Sequence, residues 1–182
     1  MKKKTFVILI LLTLLTVGLP STINHKEVIN KESITAAYQP GFIEGKDAPN
    51  FKLESLNGRM YKLSDFRGQT ILLNFWASWC PPCKTEIPDL NEFFLEHKKE
   101  KIVVLSVNMT YAEKSIQNVK AFQNMYKIRF PVLLDQFNEM ADLYGIKTIP
   151  TSFLIDATGK IQKRIIGPLQ KDRIELLLDK IE

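Results

Sequence analysis

The hydrophobic pattern divides the chain into three parts. Phe6 to Leu19 reads FVILILLTLLTVGL, apolar throughout but for its threonines and a glycine, and without a charge. Residues 24–41 mix charged and polar side chains with no sustained period and end in Pro40-Gly41, the composition of a linker. From residue 42 onward, short apolar runs alternate with amphipathic stretches. Phe51 to Leu53 and Met60 to Leu63 flank the turn Leu56-Asn57-Gly58-Arg59, a hairpin signal. Thr70 to Trp76 (TILLNFW) and Ile102 to Val107 are near-continuous apolar runs, as buried parallel strands require. The pattern predicts helices over 81–99, 113–126, 137–144 and 173–181, with a strand from Phe130 to Leu134. Ser152 to Ile155 and Ile161 to Ile166 straddle Asp156-Ala157-Thr158-Gly159 and predict a second hairpin. Strands alternating with helices, then an antiparallel hairpin, describe an α/β domain whose mixed sheet is flanked by helices.

Composition narrows the class. The chain has 182 residues, 45% of them hydrophobic, which suits one globular domain plus an appendage. Of its net charge of +5, part is terminal: residues 1–37 hold five Lys and two Glu, and the remainder carries 20 basic and 18 acidic residues, or +2. That balance gives no nucleic-acid footprint. The two histidines, His25 and His97, are far apart, and two cysteines cannot build a Cys-rich zinc site, so no metal or other cofactor is expected.

The N-terminus reads as an export or anchoring segment over residues 1–23. Lys2, Lys3 and Lys4 precede the apolar run, as a positive region precedes the core of a secretory signal. Small-x-small cleavage candidates are poor, because Pro20-Ser21-Thr22 contains proline and Thr35-Ala36-Ala37 lies far from the run. A retained single-pass anchor is favoured over a cleaved signal, with the lysines cytoplasmic and the rest outside. Residues 24–41 are then the linker and 42–182 the folded domain.

The chemistry sits in Trp79-Cys80-Pro81-Pro82-Cys83-Lys84. The chain's only two cysteines stand three apart, where a buried strand ends and a helix begins. Cys80 falls at the helix start, where unpaired N–H groups and the positive dipole end favour an exposed thiolate. Pro81 and Pro82 suit the first helical turn, whose N–H groups lack intrahelical acceptors, and Pro88 predicts a kink. A structural disulfide constrains little across so short a loop. Zinc lacks two ligands, and haem attachment requires His where Lys84 stands. A redox-active Cys80/Cys83 dithiol is the reading that remains.

NFWASWCPPCKTEIPDL resembles the active-site segment of thioredoxin-like proteins, and more narrowly the membrane-tethered TlpA/ResA-like thiol-disulfide oxidoreductases. The resemblance covers about residues 42–182. It includes Gly45-Lys46-Asp47-Ala48-Pro49-Asn50-Phe51, Leu63-Ser64-Asp65-Phe66-Arg67-Gly68, Tyr144-Gly145-Ile146 before Ile149-Pro150-Thr151, and Phe153-Leu154-Ile155-Asp156 before Gly159-Lys160. It implies a thioredoxin-like fold with an N-terminal hairpin and an extra central helix and strand over residues 113–134. It also implies that Pro150 is cis and faces the dithiol. Ile149 and Pro150, with Trp79, Pro81 and Pro82, are then the substrate-binding residues. Asn74 occupies the place where thioredoxin has a buried, titrating Asp. Glu86, one helical turn after Cys83, matches a functional glutamate of ResA-like members and is taken with the catalytic residues; the alternative is a solvated helix-surface side chain.

The resemblance implies an extracytoplasmic reductase of disulfides in exported proteins, such as apocytochrome c. Electrons would come from a membrane thiol carrier of the CcdA or DsbD type. Two other readings are a redox-inert thioredoxin-fold binding module and a DsbA-like thiol oxidase. The dithiol counts against the first, and the lack of room for a large helical insertion against the second. A peroxidase would need a Thr-x-x-Cys site, which the chain lacks.

Overall fold

The computed structural model describes residues 44–97 and 100–181. The expected anchor at residues 1–23 and linker at 24–41 lie outside the described residues. Among the described residues, no helix is long and apolar enough to cross a membrane.

The elements in chain order are β1 (Lys52–Glu54), β2 (Met60–Lys62), β3 (Thr70–Trp76), α1 (Pro81–Glu96), β4 (Ile102–Asn108), α2 (Ile116–Met125), β5 (Val132–Leu134), α3 (Glu139–Leu143), β6 (Thr151–Ile155), β7 (Ile161–Ile166) and α4 (Lys171–Leu178). Single 3-10 turns occupy Leu63–Phe66 and Thr110–Ala112. β1 and β2 form a separate antiparallel hairpin. The main sheet runs β5-β4-β3-β6-β7. β3, β4 and β5 are parallel neighbours, whereas β6 and β7 join antiparallel. The mixed sheet flanked by helices is the α/β architecture that the pattern predicts.

Buried strands explain the apolar runs. Ile71 to Trp76 are all buried, because both faces of β3 are covered. Leu72 and Trp76 pack on one face with Ile87, Leu90 and Phe93 of α1 and with Val119 and Phe122 of α2. Leu73 and Phe75 pack on the other with Met140, Ala141 and Tyr144. The second hairpin turns at Gly159, whose φ of +85° is open to glycine at no steric cost.

Several boundaries shift. α1 ends at Glu96 rather than Lys99; the backbone N–H of His97 closes it onto Phe93 O at 3.1 Å. It continues through Pro88, which lacks an N–H for the carbonyl of Lys84. α2 starts at Ile116, not at residue 113, because Ser115 is extended and the Glu113 side chain is turned to another element. α4 begins at Lys171, two residues before the predicted start.

Candidate functional site

β3 ends at Trp76, the chain crosses Ala77-Ser78-Trp79, and α1 begins at Pro81. Cys80 is the N-cap of α1, with extended backbone. Its sulfur accepts a hydrogen bond from the Cys83 N–H at 3.2 Å, one of the donors a helix start leaves unpaired. Cys80 and Cys83 form a disulfide with Cα atoms 5.3 Å apart. Pro81 and Pro82 fill the first turn and are both exposed.

The expectation of an exposed Cys80 is corrected here. In the disulfide state Cys80 is 2% exposed and Cys83 fully buried. Cys80 is sheltered because its sulfur lies 3.8 Å from the carbonyl oxygen of Ile149, on the loop that enters β6. The Ile149–Pro150 peptide is cis, Ile149 is half-buried and Pro150 is buried. The structure thus brings the WCPPC segment and the Ile149-Pro150 loop together from positions 69 residues apart.

Glu86 is no solvated surface residue, which removes the alternative to a functional glutamate. It is 1% exposed, on the same buried face of α1 as Cys83, Ile87 and Leu90. Its Oε1 accepts from Asn74 Nδ2 at 2.9 Å and its Oε2 from the Leu169 N–H at 3.0 Å. Burial pushes its pKa up from 4.5 to about 7, against the opposing pull of those two hydrogen bonds. Asn74 also donates to Ser152 Oγ at 3.0 Å, while its own Oδ1 is buried with no hydrogen-bond partner. A buried carboxyl, an amide and a hydroxyl from three elements are therefore joined in one network, with Glu86 one turn after Cys83 on the buried face of α1.

Trp79 is 53% exposed, beside the disulfide, and its Nε1 donates to Ala112 O at 3.0 Å. Trp76 is core, packed at a tilt on Phe122 with ring centres 4.7 Å apart. Sequence reasoning missed Glu113. Its carboxylate accepts from the Ser78 N–H at 2.7 Å, from Ser78 Oγ, and from Asn108 Nδ2 at 2.9 Å, tying the active-site loop to the end of β4. No local signal marks it, because its partner Ser78 lies 35 residues away. Leu169 and Ser152 escaped for the same reason.

Glu96, His97 and Glu175 gather their ligand atoms within 4.8 Å of one another at the far end of α1, a cluster the spacing of the histidines did not suggest. Glu96 is already ion-paired with Lys171 at 2.7 Å, and His97 Nε2 lies 3.4 Å from Glu175.

The AhpC/TSA family matches residues 44–164. The thiol-disulfide oxidoreductase ResA of Bacillus anthracis is 39% identical over 137 residues, spanning 75% of this chain and 78% of that protein. ResA of Bacillus subtilis is 35% identical over 173 residues, 95% of this chain and 90% of that one. The chain belongs to the ResA-like thiol-disulfide oxidoreductases. Among solved structures, StoA of Bacillus subtilis superposes with a TM-score of 0.66 at 34% identity, over 74% of this chain and 98% of that one. A putative thiol:disulfide interchange protein DsbE of Chlorobium tepidum reaches 0.70 at 33% identity, over 76% and 97%. This ResA-like protein is an enzyme, a protein-disulfide oxidoreductase of thioredoxin fold whose substrates are disulfide-containing proteins. The reading as a redox-inert binding module is set aside by this membership.

Proposed function

We propose that the enzyme reduces disulfides of exported proteins outside the membrane, held there by an anchor at residues 1–23 and a linker at 24–41. The observation that carries the mechanism is the Cys80–Cys83 pair at the start of α1 with the Glu86 carboxyl buried one turn further along the same helix.

In the reduced enzyme the Cys80 thiolate is stabilised by the helix N-terminus, including the Cys83 N–H. It attacks one sulfur of the substrate disulfide, forming a mixed disulfide and releasing one substrate thiolate, which takes up a proton. Cys83 then gives up its proton and attacks Cys80, breaking the mixed disulfide. Two electrons pass to the substrate, which leaves as a dithiol, and Cys80–Cys83 is oxidised. Glu86 is the acceptor for the Cys83 proton, because a carboxyl titrating at about 7 exchanges protons at neutral pH. Trp79, Pro81, Pro82, Ile149 and Pro150 form the rim that the substrate meets. A membrane thiol carrier of the CcdA or DsbD type restores the dithiol, and apocytochrome c cysteine pairs are one fitting substrate.

The test is covalent capture. Cys83→Ser accumulates mixed disulfides with exported proteins through Cys80, and mass spectrometry identifies them. Cys80→Ser captures none and abolishes exchange. Equal capture by both variants would reverse or remove the assigned roles.

A further inference from the structure

Beside the active-site segment, a groove of about 550 Å³ opens between the start of α1 and α2. Its lining does not include Glu86, Ile149 or Pro150; it adjoins the site already described and shares Ser78, Trp79 and Ala112 with it. Trp79 and Lys84, the residues on either side of the Cys80–Cys83 pair, contribute to it; Lys114, Phe122, Met125 and Tyr126 come from α2 and its flanks.

Four features make this a built surface. The floor is fixed, because Phe122 packs at a tilt on Trp76 and stacks on Tyr126, with ring centres 4.7 and 4.4 Å apart. The Trp79 wall is fixed, because its Nε1 is bonded to Ala112 O and Glu113 holds Ser78 beside it. Apolar side chains nonetheless face water: Met125 is 74% exposed and Trp79 53%. The rim is positive. Among the described residues no ion pair joins Lys84 or Lys114 to an acid; the nearby Glu113 keeps its charge but is turned onto Ser78 and Asn108 and does not line the groove.

We infer that this groove docks the stretch of substrate chain next to its reactive cysteine, taking a large apolar side chain on the Phe122–Met125 floor and a carboxylate between Lys84 and Lys114. The occupant follows from position and charge. A substrate sulfur bonded to Cys80 brings its own chain neighbours, at about 3.5 Å per residue, to the groove that Trp79 borders. A rim of unpaired lysines selects acidic neighbours and repels basic ones. The inference rests on the proposed reductase reading and adds a substrate preference to it.

The experiment uses the full chain, reduced, in detergent micelles. Its probes are hydroxyethyl disulfide and three short peptides with the same Cys-x-x-Cys disulfide, preceded by Phe-Asp, Phe-Lys or Ser-Asp. Second-order reduction rates are read for each. The Phe-Asp peptide is expected to react about tenfold faster than Phe-Lys at low salt, an advantage that shrinks as salt rises. Lys114→Glu reverses the order of Phe-Asp and Phe-Lys. Met125→Ser narrows the gap between Phe-Asp and Ser-Asp. Equal peptide rates, or ratios that neither variant moves, overturn the groove. Concentration-dependent self-association abolished by Met125→Ser, with no peptide preference, hands the groove to a second copy and also overturns it. Failure to reduce even hydroxyethyl disulfide overturns the redox reading itself, whereas its reduction together with equal peptide rates sinks the groove alone.

Discussion

Glu86 is the residue where burial and chemistry meet. A carboxyl placed at a fully covered position of α1 favours its neutral form, and its pKa rises from 4.5 to about 7. At acid pH below 4.5, the group is protonated in both folded and unfolded chains. Between 4.5 and about 7 the folded chain keeps a proton that the unfolded chain has released, so stability falls as pH rises. Above about 7 both forms are ionised and the loss is complete. At about 1.4 kcal/mol per pKa unit, the loss comes to about 3 kcal/mol. Glu86→Gln lacks the titration, so the difference in unfolding free energy between wild type and variant should follow this slope. Denaturant midpoints measured across that pH range check it, and parallel curves would mean that Glu86 keeps an ordinary carboxylate pKa.

At the scale of elements, two segments outside α1 hold the active-site loop in place. The Ile149-Pro150 loop covers Cys80 from the start of β6. The turn before α2 clamps Ser78 through Glu113 and Trp79 through Ala112. Hydrogen bonds to a charged group are worth about 1.5–3 kcal/mol each, and their loss leaves donors unpaired. Glu113→Ala should therefore destabilise the protein by about 2–3 kcal/mol. Glu113→Gln, which keeps one acceptor oxygen, should lose less. Chemical unfolding monitored by far-UV circular dichroism tests both, and an alanine variant as stable as wild type would show the clamp to be idle.

For the whole molecule, the proposals concern where the domain works and in which direction electrons flow. An uncleaved anchor predicts a full-length membrane-bound product whose residues 42–182 are digested by protease added from outside. A soluble product beginning after residue 20 would reject the anchor in favour of a cleaved signal. A reductant of exported proteins needs a low potential. The value should fall near the thioredoxin end of a range from about −270 mV for thioredoxin to about −120 mV for DsbA. Equilibration against glutathione or dithiothreitol measures it, and a result above about −180 mV would turn the reading towards an oxidase or isomerase.

The amino-acid sequence by itself determined the strands of the main sheet, the two hairpins and the dithiol at a strand-to-helix junction. Those features are local: unbroken apolar runs such as TILLNFW have one economical fate, and Cys-Pro-Pro-Cys announces itself by spacing. It also marked Glu86 and Asn74 as positions of interest without saying that they touch. Only the tertiary structure decided that Glu86 is buried and joined to Asn74. The reason is that its environment is made by β3, by Ser152 of β6 beyond Asn74, and by the Leu169 N–H, 83 residues away. Burial of a helix residue depends on what packs over that face, and the 3.6-residue period does not forbid a charged residue there when partners arrive from elsewhere. The same holds for Glu113, whose polar, helix-flanking context gave no hint of Ser78. It holds too for Cys80, where the capping position was readable but its shelter under Ile149 came from a loop that only the sheet order brings near.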